Sequence, residues 1–281
     1  MNPTSFPKSQ IKVLLLENIH PLAHDAFKGE GFQVETLSGA LTIEQLKERI
    51  QDVHVLGIRS KTQVTADILK EAKKLLTIGC FCIGTNQVDL QAAKLRGIPV
   101  FNAPFGNTRS VAEMAIAELI SLSRQLAQRS MEMHSGKWRK VSNGCYEVRG
   151  KTLGIIGYGH IGSQVSTLAE NLGLRVIYFD IISKLPLGNA KVCNSLKELL
   201  LESDFITLHV PATAQTHKMI GQTEFELMKR GAYLINASRG TVVDIPRLAH
   251  ALKIGHLAGA AIDVYPEEPE TNTDHFVTDL Q

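Results

Sequence analysis

The stretch GIIGYGHIG, residues 154–162, constrains this chain more than any other. It closes the apolar run TLGIIG (152–157) and opens a helical pattern, so Gly157, Gly159 and Gly162 stand as G-x-G-x-x-G between strand and helix. Each glycine meets a separate demand: a tight turn, close backbone approach to a pyrophosphate, and close packing of helix on strand. The helix N-terminus then offers unpaired N–H groups and the positive end of its dipole to an anion. Asp180 ends the next apolar run, 18 residues past Gly162, where a carboxylate holds ribose hydroxyls. It would repel a 2′-phosphate, so NAD rather than NADP is the expected cofactor. The plain alternative is a glycine turn followed by a solvated strand-end acid.

Around this loop the chain alternates between two rhythms. IKVLLLE (11–17), FQVETL (32–37), VHVLGI (53–58), LLTIGC (75–80) and IPVFN (98–102) have the length and β-rich content of strands. Apolar residues at three- and four-residue spacing predict helices over 20–29, 43–51, 65–74 and 88–96, with Thr42 and Thr65 as N-caps. From Thr108 to His134 the helical pattern runs on, predicting one unbroken helix between two domains, with the boundary near Pro104. Strands then resume at 152–157, 174–180, 205–210, 232–237 and 257–264. Continuously apolar strands joined by helices form parallel sheets covered on both faces. The pattern therefore predicts two doubly wound α/β domains, over 1–104 and 105–281.

The remaining composition narrows the function class. A net charge of +2 over 281 residues favours neither nucleic acid nor a membrane surface as partner. No segment reaches the 18 apolar residues of a membrane span, and MNPTSFPKSQ has no apolar leader core, so a cytoplasmic protein is expected. Cys80, Cys82, Cys145 and Cys193 form no zinc-binding spacing, so no metal is expected and all four are read as free thiols. Cys80 and Cys82 are expected on opposite faces of one strand. The stretch GKWRK (136–140) is read as a solvated arm that could reach a neighbouring subunit.

Charged residues at strand ends are the candidates for chemistry. Arg239 follows the strand AYLINA, in the crevice where open α/β sheets bind ligands, and a guanidinium can grip a carboxylate with two parallel hydrogen bonds. Arg59 and Lys61 flank Ser60 just past the strand 53–58, a set that suits a phosphate or carboxylate, although a solvated basic turn accounts for it equally well. His160 lies inside the glycine loop, where its backbone rather than its side chain is expected to line the pyrophosphate.

GIIGYGHIG, INASRGTVVDIP, AAIDVYPEEP and the segment from IGCFCIGTNQVDL to RGIPVFNAPFGNTRSVAE together resemble the D-isomer-specific 2-hydroxyacid dehydrogenases. The likeness runs from about Ile11 to the end, and it is strongest to bacterial members that oxidise 3-phosphoglycerate to 3-phosphohydroxypyruvate with NAD at the start of serine synthesis. It implies a flavodoxin-like substrate domain followed by a Rossmann NAD-binding domain, and a homodimer. It also implies roles for particular residues. Arg239 would bind the substrate carboxylate and keto group, and Glu268, expected as a buried acid, would hydrogen-bond a catalytic histidine and raise its pKa. His160 and Ile161 would lie on the pyrophosphate, with Ala237, Ser238, Arg239 and Asp263 around the nicotinamide. Arg59, Ser60, Lys61 and Asn107 would hold a small phosphorylated hydroxy acid.

The resemblance places the histidine in a PHIGG-like segment about two dozen residues beyond Glu268, whereas this sequence stops 13 residues beyond it. His275, in the loop TNTDHF, lacks that motif. The expectation is a fragment without the catalytic histidine, the last Rossmann strand or the segment returning to the substrate domain, able to bind NAD(H) but nearly inactive. Two rival readings stay open. One is a family member acting on an unphosphorylated 2-hydroxy acid, for which Arg59 and Lys61 are superfluous. The other is a non-catalytic NAD(H)-sensing binding protein.

Overall fold

The structure is a computed structural model, and it describes residues 6–269 and 275–280. It divides into two compact units, Met1–Asn107 and Thr108–Gln281. The division falls three residues past Pro104 because residues 104–107 form a turn after the last strand of the first unit, and the next helix starts only at Thr108.

In the first unit β1 (Lys12–Leu15), α1 (Pro21–Gly29), β2 (Gln33–Thr36), α2 (Ile43–Arg49), β3 (Val55–Ile58), α3 (Ala66–Glu71), β4 (Thr77–Cys80), α4 (Leu90–Leu95) and β5 (Val100–Asn102) alternate along the chain. The strands are parallel in the order β2-β1-β3-β4-β5, the flavodoxin-like arrangement. Both faces are covered, which explains the unbroken apolar runs: Val13 and Leu15 pack on one side with Ile19, Leu14 and Leu16 on the other with Leu56, Ile58 and Ile78. Thr42 caps α2 in a complete capping box with Gln45, and Thr65 caps α3 through the Ile68 amide. The strand β4 ends at Cys80, so Cys82 lies beyond it, with Sγ directed at the carbonyls of Arg59 and Gly84. Both thiols pack on the same core cluster and not on opposite faces, because residues two apart in extended chain point the same way.

The second unit opens with α5 (Thr108–Arg124) and α6 (Leu126–His134), two helices where the periodicity predicts one. The break is Gln125, whose φ of 56° is left-handed and cannot continue a right-handed helix. Its side chain is occupied by the returning arm, donating to the Gly144 carbonyl and accepting from Arg139. Arg129 of α6 donates to the carbonyls of Arg139 and Val141, so the arm is tied to this helix while Trp138 remains 78% exposed.

Then follow β6 (Thr152–Ile156), α7 (His160–Asn171), β7 (Arg175–Phe179), β8 (Lys191–Val192), α8 (Leu196–Glu202), β9 (Phe205–Leu208), α9 (Gln222–Leu227), β10 (Ala232–Asn236), α10 (Ile245–Lys253) and β11 (Leu257–Ile262). All pairings are parallel, in the order β11-β10-β9-β6-β7-β8, which read from the other edge is the Rossmann order. The two-residue strand β8 is too short to show periodicity. Leu153 and Ile155 of β6 pack with Ala112, Ala115 and Leu119 of α5, while Ile156 faces Leu199 and Leu200 of α8.

At Gly154 the α8 side of this packing leaves no room, since an added Cβ would strike the Ser203 hydroxyl and lie 2.6 Å from a Leu199 methyl. Gly154→Ala should therefore lower stability by about 1–3 kcal/mol, the usual cost of overpacking a core. Urea unfolding against the parent chain measures it, and an unchanged midpoint would show that α8 shifts freely.

Candidate functional site

In the Rossmann sheet the strand order reverses between β6 and β9, and the glycine loop leaves β6 at that point. Gly157 has φ 92°, and a Cβ there would lie 2.5 Å from the His209 carbonyl, so the turn admits only glycine. A Cβ on Gly162 would run into the Gly157 carbonyl, which is the close contact of α7 with β6. At Gly159 the space for a Cβ is open, and Gly159 is the N-cap of α7 with no side chain closing the helix end. No acid occupies the first turn, so the positive end of the helix dipole is not offset there and suits an anion. His160 and Ile161 start α7; His160 is exposed and Ile161 packs against the core below.

Asp180 sits immediately beyond β7, half-buried, beside this loop. The amide of Tyr158 donates to its Oδ2 at 2.8 Å, and the amide of Ile182 to its Oδ1 at 2.9 Å. Two fixed N–H donors thus lock the carboxylate in place, each oxygen keeping acceptor capacity for a hydroxyl. Tyr158 adds a second tie: its ring stacks on Tyr178 at 3.8 Å, and its hydroxyl bridges Ser166 and the Leu187 amide. The open space at Gly159, the bare helix end and the anchored carboxylate together fit a dinucleotide. Gly157, Gly159, the α7 amides and Asp180 are the groups that would hold it.

The second group of expected residues gathers at the ends of β10 and β11 around a residue that sequence reading passed over. Asn236 is fully buried. Its Oδ1 accepts from the Ser238 amide and hydroxyl, its Nδ2 donates to the Arg239 carbonyl, and its own carbonyl accepts from the Asp263 amide. One side chain therefore shapes the Ala237–Arg239 turn, and its backbone ties that turn to Asp263. The signal in the sequence was a polar residue ending an otherwise apolar strand. Ala237 and Asp263 line one cleft of about 240 Å³ with Met114 and Glu118 of α5. Arg239 is half-buried, and Nη1 donates to the Ser238 carbonyl at 2.6 Å.

Glu268 comes close to this turn through the backbone. The Tyr265–Pro266 peptide lies against Gly240, where a Cβ would overlap it, and Glu268 Oε1 accepts from the Tyr265 amide at 3.2 Å. The carboxylate is exposed, contrary to the expectation of a buried acid, because the segment after β11 runs over the surface. Residues 271–274 of the TNTDHF loop lie outside the described residues. In the first unit Arg59, Ser60 and Lys61 are exposed just beyond β3, and Asn107 is exposed in the turn after β5.

His209, to which the sequence assigned no role, stands at the crossover itself. Its ring is enclosed although the residue as a whole is half-buried: Nε2 is 3.0 Å from the Thr207 hydroxyl, and Nδ1 has no partner among the described residues. Burial pushes its pKa down from 6.5 to about 4, so the ring is neutral at pH 7. A larger hollow of about 600 Å³ opens at the opposite, amino ends of the strands, lined by Thr152, Arg175, Lys191 and Lys229. Open α/β sheets bind ligands at the carboxyl ends, so this hollow is assigned no part in the site.

Comparison with known proteins agrees with this geometry. The D-isomer specific 2-hydroxyacid dehydrogenase NAD-binding domain matches residues 116–280. D-3-phosphoglycerate dehydrogenase of Dictyostelium discoideum is 61% identical over 282 residues, spanning 100% of this chain and 69% of its own length. The chain belongs to the D-isomer-specific 2-hydroxyacid dehydrogenases. Its second unit is the family's NAD-binding domain. D-3-phosphoglycerate dehydrogenase 1 of Saccharomyces cerevisiae is 58% identical over 274 residues, 98% of this chain and 58% of that protein. Among solved structures, the TT0316 protein from Thermus thermophilus superposes with a TM-score of 0.86 at 33% identity, covering 94% of this chain and 85% of that one. No described helix of this family member is long and apolar enough to cross a membrane.

Two outcomes are expected. Gly159→Val should weaken NADH binding at least tenfold in a fluorescence titration by filling the space that the pyrophosphate needs, with little loss of stability because nothing in the protein occupies it. For His209, the unfolded imidazole takes up a proton below about 6.5 while the folded one resists until about 4. Stability should thus fall as pH drops through that window, by roughly 3 kcal/mol at the limit. His209→Asn should flatten this acid limb in urea midpoints measured at pH 7 and 5; an unaltered slope would mean the ring is protonated in the native state.

Proposed function

We propose that this chain carries the NAD-binding and substrate-orienting parts of an oxidoreductase that converts 3-phosphoglycerate to 3-phosphohydroxypyruvate, the first step of L-serine biosynthesis. The observation that carries the reading is the joining of two sites in one domain: the cradle of the glycine loop with Asp180, and the Arg239 turn shaped by Asn236. Relatives bearing the name D-3-phosphoglycerate dehydrogenase at 55–61% identity support the choice of substrate.

Bound NAD supplies the hydride acceptor. Asp180 holds the adenosine ribose, and the N-terminus of α7 with His160 and Ile161 receives the pyrophosphate. Ala237, Ser238 and Asp263 border the nicotinamide. Arg239 grips the substrate carboxylate and stabilises the charge that develops on the C2 oxygen, a role strengthened where water is excluded. Glu268 would orient and charge the imidazole that the family resemblance places in a PHIGG-like segment, the group that takes the hydroxyl proton. Arg59, Ser60, Lys61 and Asn107 bind the phosphorylated end. The exposed apolar side chains of Leu126, Met131, Met133 and Trp138 support a homodimer, and a cytoplasmic location suits the substrate.

NADH fluorescence titration tests the cofactor half. Asp180→Ala should weaken NADH at least tenfold and narrow the preference over NADPH, since both the ribose acceptor and the repulsive charge are removed. In any form of the protein that turns over, Arg239→Ala should lower kcat/KM by about 10²–10³, as loss of one oxyanion donor does. Near-normal turnover would remove Arg239 from the mechanism, and a preference for hydroxypyruvate over its phosphorylated form would move the assignment to an unphosphorylated 2-hydroxy acid.

A further inference from the structure

The first sheet has its own crossover, between β1 and β3, and the chain there is strained in a specific way. Glu17 and Asn18, just past β1, both adopt left-handed φ values of 61° and 53°. Neither is glycine, and for Glu17, which lacks the short polar side chain that eases Asn18 into this region, the conformation is a strained one. The strain turns the Glu17 carboxylate inward, where the residue is only 8% exposed. Its Oε1 accepts from the amides of Arg59 at 3.1 Å and Thr62 at 2.9 Å, and its Oε2 from the amide of Lys61 at 2.9 Å. Burial pushes this carboxyl up, but the N–H groups of Lys61, Thr62 and Arg59 outweigh it and hold the pKa below the ordinary value. From β4's side Gln87, 2% exposed, donates Nε2 to the Arg59 carbonyl at 2.5 Å and to the Gly84 carbonyl at 3.2 Å. The Arg59 peptide is thus held at both ends by buried side chains, while the side chains of Arg59, Ser60 and Lys61 stay exposed.

A buried carboxylate is a costly way to stabilise a turn, because desolvation offsets most of what its hydrogen bonds return. What it does achieve is directional. A run of backbone N–H groups at a sheet edge is itself an anion nest. Here three of those donors are turned inward and satisfied by Glu17, so the basic side chains are what the turn presents outward.

We propose that Glu17, assisted by Gln87, is a positioning residue for substrate recognition: the pair fixes the Arg59–Thr62 turn so that side chains, not main-chain amides, receive the dianionic phosphate. The inference rests on the reading that this turn binds the phosphorylated end of the substrate. Glu17 acts only through the turn, so part of its effect depends on Arg59 being there to be positioned.

The test is calorimetric titration of the NADH-saturated chain with 3-phosphoglycerate and with glycerate, for the parent and for Arg59→Ala, Glu17→Gln, Gln87→Leu and the double variant Arg59→Ala/Glu17→Gln. Glu17→Gln puts an NH₂ where a carboxylate oxygen accepts, and is expected to weaken 3-phosphoglycerate about tenfold, as loss of a buried charged partner does. Gln87→Leu should weaken it less, and both should leave the NADH and glycerate affinities within about twofold. The double variant should lose less than the sum of the two single losses, because groups acting as a unit are not additive. Equal weakening of both acids, or additive losses in the double variant, would reduce Glu17 to a structural role and overturn the proposal. If Arg59→Ala weakens 3-phosphoglycerate and Glu17→Gln does not, the clamp falls and the phosphate site stands. If Arg59→Ala has no effect, the phosphate site itself is wrong and the clamp falls with it.

Discussion

The contact between Gly162 and the Gly157 carbonyl is the constraint on which the second domain depends. It brings the first turn of α7 against the end of β6, so the helix end opens directly onto the crossover of the sheet. Any side chain at either glycine would lift the helix away, and its N–H groups would no longer converge on one point. Gly159 is a glycine for a different reason: no protein atom crowds it, and the space is left for a ligand.

A second pattern recurs in both domains. Loops at the carboxyl ends of the strands are shaped by one buried polar residue standing just at or past a strand end. Asn236 does this for the Ala237–Arg239 turn and Asp263, and Glu17 for the turn at Arg59. Asp180, half-buried, is itself held by two amides. These residues direct their hydrogen bonds to backbone, which fixes where the neighbouring charged side chains leave the chain. Preorganisation of this kind lets a charge act on a ligand without first rearranging the chain.

Much of the fold was legible because its signals are local. Each of the ten expected strands is present, and Thr42 and Thr65 cap the helices they were expected to cap. The misses have physical causes too. Gln125 breaks the long helix although its neighbours keep helical spacing, because the returning arm stabilises the broken conformation. The strand β8 has two residues, too few to carry a period. Glu268 lies exposed where a buried acid was expected, since the segment beyond β11 follows the surface.

The sequence alone determined the alternation of strand and helix, the two parallel sheets, the glycine loop and the acid at the end of the following strand. All are written in short local runs, within reach of backbone sterics and periodicity. Only the tertiary structure decided which strand ends lie side by side, because strand order depends on how distant segments bury one another. That is why Glu17 could not be paired with Arg59, 42 residues away, nor His209 with Gly157, until the sheets were assembled.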